Sequence, residues 1–144
     1  MEFHKILIAI DKNSGAETVA LNGLQLARQF SSEIALVSII DTSIAEDAEG
    51  ASPRELDGII DTHLTFTQQM LIETVFKEYP VKTFVEKGNP YEVILKLAEQ
   101  WGADVIVMGT HGRTGFSHLI LGSVAEDVIR HSKRPLVVIP ILQK

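Results

Sequence analysis

The residues best suited to chemistry lie in the run Gly109-Thr110-His111-Gly112-Arg113-Thr114-Gly115-Phe116-Ser117-His118-Leu119-Ile120-Leu121-Gly122-Ser123. Two residues separate Gly109 from Gly112, and nine separate Gly112 from the Gly122-Ser123 pair, where a helical pattern opens. Glycine lets the backbone turn tightly and approach a ligand closely, because no Cβ stands in the way. A helix start presents unpaired N–H groups and the positive end of the helix dipole, which together favour an anion. Phosphate needs several donors converging from one side, and a glycine loop feeding a helix supplies them. Arg113 adds a charge-assisted contact. The run is neither of the two common nucleotide fingerprints. No G-x-x-x-x-G-K-[ST] segment exists, and where a dinucleotide fingerprint would follow the first strand the chain reads Asp11-Lys12-Asn13-Ser14-Gly15.

Other chemistries find less support. There is no cysteine, which excludes disulfides, thiol nucleophiles and thiolate metal sites. The five histidines show no H-x-x-x-H or H-E-x-x-H spacing, so no metal site is expected. A phospho-receiver needs an acidic cluster after strand one, an Asp after strand three and a Lys after strand five. Here Asp11 stands alone, strand three ends Val85-Glu86-Lys87, and the last strand runs into Pro140. Phosphoryl transfer needs a positioned base and charge neutralisation. The loop offers His111, Arg113 and His118 but no paired acidic ligands, so no catalytic residue is assigned; the alternative reading is a slow nucleotide hydrolase or phosphotransferase that uses the same glycine loop.

The elements that position this loop are legible from hydrophobic pattern. Residues 6–10, 34–40, 105–108 and 136–139 are short, nearly continuous β-branched runs, the pattern of strands covered on both faces. Residues 81–85 form a weaker fifth strand, interrupted by Lys82. A first helix carries Val19, Ala20, Gly23, Leu24 and Ala27, opened by a Ser14/Glu17 capping box. A second follows Pro53 with Leu56, Ile59, Ile60, Leu64, Thr67, Met70, Leu71 and Val75 at helical spacing. A third runs from Pro90 to a stop at Gly102, with Trp101 as a packing anchor, and a fourth opens at Ser123 with Glu126 as capping partner and ends near His131. The alternation βαβαβαβαβ predicts an α/β fold over residues 1–144: one domain, an open five-stranded parallel sheet with helices on both faces. Ligands of such sheets sit outside the carboxyl ends of the strands, where strand order reverses. The acidic stretch 41–52 has no apolar period and reads as a connector, a lid or a partner-facing surface.

The formal net charge of −6 over 144 residues argues against nucleic acid, and the cluster Arg130-His131-Ser132-Lys133-Arg134 suits the C-terminal end of a helix. No apolar run is long enough to span a bilayer, and the N-terminus lacks signal-peptide architecture. A cytoplasmic protein is expected.

The run 109–123, the strand ending Ala9-Ile10-Asp11, the lead-in Gly102-Ala103-Asp104-Val105-Ile106-Val107-Met108 and the ending Arg134-Pro135-Leu136-Val137-Val138-Ile139 together resemble the universal stress protein family. The spacing of Gly109, Gly112 and Gly122-Ser123 matches that of its nucleotide-binding members without a gap. The resemblance implies a Rossmann-like fold of the adenine nucleotide alpha hydrolase kind and ATP as ligand, with Mg²⁺ accompanying it. It assigns the ribose hydroxyls to Asp11, the base to the backbone of Ala9 and Ile10 and the main chain of Ile39, and the ribose flank to Gly109. Met108 would pack nearby, and Gly112, Arg113, Gly122, Ser123 and Val124 would hold phosphates. It further implies a stress-response or regulatory module, not primarily a catalyst, that forms a homodimer along residues 136–139 and acts on a protein partner the sequence does not name. Read from the residues alone, Asp11 is either a ribose ligand or a turn residue, Ser123 either a phosphate ligand or a helix cap, and the last strand either a pairing edge or a tail covered by its own helix.

Overall fold

The computed structural model describes residues 2–11, 15–42, 53–110 and 121–141, with the backbone alone for 53–57. The apolar runs form strands β1 (Lys5–Ala9), β2 (Glu33–Asp41), β3 (Val81–Gly88), β4 (Val105–Gly109) and β5 (Leu136–Ile139). All pair in parallel in the order β3-β2-β1-β4-β5. Helices α1 (Ala16–Phe30), α2 (Pro53–Leu71), α3 (Pro90–Trp101) and α4 (Ser123–His131) make the crossovers. The chain winds outward from β1 to β3, then returns to the other side of β1 for β4 and β5. The reversal therefore falls between β1 and β4.

Side-chain alternation along the central strands divides the core. Ile6, Ile8, Ile10, Leu36, Val105 and Val107 face α1 and the end of α2, while Leu7, Ala35, Val37, Ile106 and Met108 face α3 and α4. α1 lies close on β1 because residue 23 is glycine: a Cβ there would stand 2.3 Å from Ile8 Cδ1. α3 stops where expected, since Gly102 takes the left-handed conformation (φ 85°) and its N–H closes on Ala98 O.

Several expectations shift. β1 begins and ends one residue earlier than the apolar run, since the Ile10 side chain is buried but its N–H serves only as the last rung, to Val37 O at 3.0 Å. β3 continues to Gly88, because β2 extends to Asp41 beside it. On α2, Ile59 (64% exposed) and Met70 (43%) point outward, and the buried set is Leu64, Thr67, Gln68 and Leu71. The helix then widens into a π-helical turn, Ile72–Phe76, which rotates Val75 and Phe76 together into the α1 side of the core. Both capping-box readings change. The N-cap of α1 is Gly15, and Ser14 lies outside the described residues. At α4 the N-cap is Gly122, extended at φ −71° and ψ 163°, so Ser123 is the first helical residue and its side chain makes no cap. The Glu126 carboxylate pairs with Arg130 one turn on, at 2.9 Å.

Candidate functional site

The strands end at different heights, and that stagger makes the site. Register between β1 and β4 runs only to Ile8 opposite Val107, so Ala9, Ile10 and Asp11 on one side and Met108, Gly109 and Thr110 on the other flank the point of strand-order reversal. β2 continues past β1, with Ser38 to Asp41 pairing only with β3. In a parallel ladder successive residues turn their peptide groups to alternate neighbours. Glu33 donates to His4 and Val37 accepts from Ile10, so the odd-numbered residues of β2 face β1. Ile39 therefore turns its N–H and C=O toward the space past the end of β1.

Four expected residues share one face. Ala9, Ile39, Met108 and Val124 all pack in the core on the α3–α4 side, which places the first turn of α4 over the ends of the central strands. The Met108 side chain is buried there, in the core beneath the strand ends. Ile10 likewise offers the site only its carbonyl, having spent its N–H on Val37. Asp11 is exposed just beyond β1. Gly109 is needed for space: a Cβ would stand 3.0 Å from both Val19 Cγ2 and Ile141 Cγ1. Gly112 and Arg113 lie outside the described residues, as does most of the stretch 41–52.

The glycine run is anchored at both ends by a residue the sequence reading passed over. Thr110 is 2% exposed. Its N–H donates to Ile139 O (3.0 Å), its carbonyl accepts from Gly122 N (2.7 Å), and its hydroxyl accepts from Ile141 N (2.9 Å). Gly122 thus has its N–H committed to the protein and not to a ligand. The N–H groups of Ser123, Val124 and Ala125 precede the first intrahelical bond, from Glu126 to Gly122 O, and carry the donor function of the helix start. Nothing in the sequence singles out Thr110, because its partners on β5 and beyond become neighbours only through the strand order.

A shallow groove of about 540 Å³ lies at the opposite end of the sheet, lined by Glu99, Gly102, Ala103, Asp104, Lys133 and Arg134. Two of its charged groups already serve the backbone. Asp104 Oδ2 accepts from the amides of His4 and Lys5 at 2.8 and 2.9 Å, and Arg134 Nε donates to Ala103 O at 2.7 Å. This groove stitches the fold together. Among the described residues no cluster of three His, Asp or Glu side chains is placed to hold a metal ion, and no helix is long and apolar enough to cross a membrane.

The sequence profile of the universal stress protein family matches residues 2–140. The chain belongs to the universal stress protein family. Over 95% of its length and 94% of the relative's, it is 30% identical to universal stress protein MJ0577 of Methanocaldococcus jannaschii. It superposes on the solved structure of MJ0577 with a TM-score of 0.85 at 28% identity, covering all of both chains. Two more distant family structures share the fold. One universal stress protein, solved in complex with cAMP, matches at a TM-score of 0.68 and 16% identity over 97% of this chain and 98% of its own. Another, from Archaeoglobus fulgidus in complex with dAMP, matches at 0.64 and 20% over 96% and 98%. The five-stranded parallel α/β fold expected from the sequence is thus the fold of its family.

Proposed function

We propose that this universal stress protein binds ATP over the carboxyl ends of β1 and β4 and acts as a nucleotide-dependent regulatory module, not primarily as a catalyst. The observation that carries the reading is the convergence of three features at the strand-order reversal: the glycine run, the start of α4, and peptide groups of β2 left beyond the end of β1. Ile39 and Ala9 flank the adenine, Asp11 takes the ribose hydroxyls, and Gly109 lies beside the sugar. Ser123 and Val124 offer N–H groups to the phosphates, with Gly112 and Arg113 completing the cradle. Ser123 keeps its hydroxyl for this task, since it does not cap the helix. Mg²⁺ enters with the triphosphate. The complexes of family relatives with cAMP and dAMP support an adenine nucleotide as the class of ligand.

The same reading makes β5 the edge along which two copies pair. The two edges of the sheet differ in kind. β3 carries Lys82, Glu86 and Lys87, charges that discourage edge-to-edge pairing, whereas β5 is Leu136-Val137-Val138-Ile139, all half-buried within one chain. Sedimentation is expected to show a dimer at tens of micromolar (about the range at which a micromolar association is nearly complete), and a monomer there contradicts the pairing.

Thermal unfolding tests the ligand. A ligand that binds only the folded state at a hundredfold excess over its Kd adds about 2.7 kcal/mol. ATP is expected to raise the Tm accordingly, with ADP and AMP raising it less. Equal midpoints with and without millimolar ATP contradict the proposal.

A further inference from the structure

Thr110 joins two regions that no other described side chain joins in this way. Its carbonyl holds Gly122 at the start of α4, and its hydroxyl holds the N–H of Ile141, just past β5. Ile141 in turn lies against Gly109 and against Gly15, the N-cap of α1. A Cβ at Gly109 would stand 3.0 Å from Ile141 Cγ1, and one at Gly15 would stand 2.8 Å from Ile141 Cγ2. The segment that leaves β5 is therefore packed against Gly109 at the end of β4, and one buried hydroxyl fixes it there.

We infer that Thr110 is a positioning residue that couples occupancy of the nucleotide site to the order of the C-terminal strand. The inference rests on the proposed ATP site and goes beyond it by naming where the effect of ATP is delivered. A ligand held by Ser123 and Val124 stabilises the start of α4, and the bond between Gly122 N and Thr110 O passes that restraint to Thr110. The Thr110 backbone and hydroxyl then restrain Ile139 and Ile141 together. Coupling of this kind is reciprocal: whatever orders residues 139–141 raises nucleotide affinity by the same factor that the nucleotide raises their order. β5 is an edge strand, so a change in its order is a change in the surface it offers for pairing.

The test is hydrogen exchange on the whole chain with and without saturating ATP, alongside calorimetric affinities. In the unsubstituted protein, ATP slows exchange across 121–126 and also across 136–141. Thr110→Val keeps the shape and removes the acceptor hydroxyl. It binds ATP about five- to tenfold more weakly, a coupling within the ordinary range. At saturation it retains slowing at 121–126 and loses it at Ile141, whose N–H the hydroxyl held, while Ile139 keeps its backbone bond to residue 110. Thr110→Ser restores both. Ile141→Pro removes the donor, and with it the amide that would report there, so its readout is ATP affinity, which falls as in Thr110→Val. ATP-dependent slowing at Ile141 that persists in Thr110→Val overturns the inference, as does, if that variant does not fold, an unchanged ATP affinity in Ile141→Pro. So does the absence of that slowing from the unsubstituted protein when ATP binds and protects 121–126. If ATP neither binds nor protects any segment, the ATP site itself fails and takes the inference with it.

Discussion

At the amino end of the sheet, side chains close the backbone. Asp104 takes the amides of His4 and Lys5, Ser32 Oγ donates to Phe3 O, the Tyr79 hydroxyl donates to Ser32 O, and Arg134 reaches Ala103 O. At the carboxyl end the strands stop at staggered heights, Ile39 turns its peptide groups beyond the ladder, and α4 starts on a glycine that makes no side-chain cap. Under the proposed function, one end uses its polar side chains for stability, and the other leaves main-chain groups for a ligand. Substitutions at the two ends should therefore separate stability from ligand affinity.

The largest effect on stability is expected from Asp104→Ala. It removes the charged acceptor of two main-chain donors, His4 just before β1 and Lys5 at its start, and hydrogen bonds to a charged acceptor are worth about 1.5–3 kcal/mol. Denaturant unfolding should show a loss of that size, while ATP affinity in the folded protein stays as it was. A changed affinity would blur the division between the ends. Tyr79→Phe removes the hydroxyl that pins the C-terminal end of α1 and should cost about 1 kcal/mol, again without effect on the ligand.

At the carboxyl end, Ser123→Ala sharpens the contrast. A lost N-cap typically costs about 1 kcal/mol, but the first helical position is not the cap, so stability should change by less than about 0.5 kcal/mol. ATP affinity should fall several-fold. A full capping loss with unchanged affinity would return Ser123 to a structural role.

The smallest effect concerns Tyr91, on the first turn of α3, whose ring stacks on His131 at 5.2 Å. Partial burial, and then the neighbouring Glu92 carboxylate, raise its phenol above the ordinary 10.0. The folded state thus holds this proton to higher pH than the unfolded chain does. Its contribution to stability is complete below pH 10.0 and is lost as pH rises through the folded value. In Tyr79→Phe, Tyr91 is the remaining tyrosine of two, so ultraviolet titration reads it alone. Ionisation at or below the ordinary value contradicts the raised shift.

What the sequence made legible follows from how local each feature is. Continuous β-branched runs announce strands covered on both faces, and Pro90 and Gly102 bound α3 because their backbone preferences are intrinsic. The glycine spacing marks the site for the same reason. The roles of Asp104 and Thr110 were not legible, because their partners lie 99 or 100 and 31 residues away and meet them only through the strand order. Ser123 with Glu126 has the spacing of a capping box, yet the extended backbone of Gly122 starts the helix one residue earlier and gives Glu126 to Arg130. The π-helical turn after Leu71 also escapes a reading based on a period of 3.6.

The most direct test of the ATP site is calorimetric titration of nucleotide-stripped protein with ATP, ADP and AMP, with and without Mg²⁺, beside Gly122→Leu. The backbone of Gly122 is extended, a conformation leucine also adopts, so the substitution crowds the approach to the helix start without straining the main chain. The account predicts micromolar ATP binding that weakens as phosphates are removed and falls at least about tenfold in Gly122→Leu, a difference of about 1.4 kcal/mol. Absence of binding at millimolar ATP, or equal affinity in the two proteins, would contradict it.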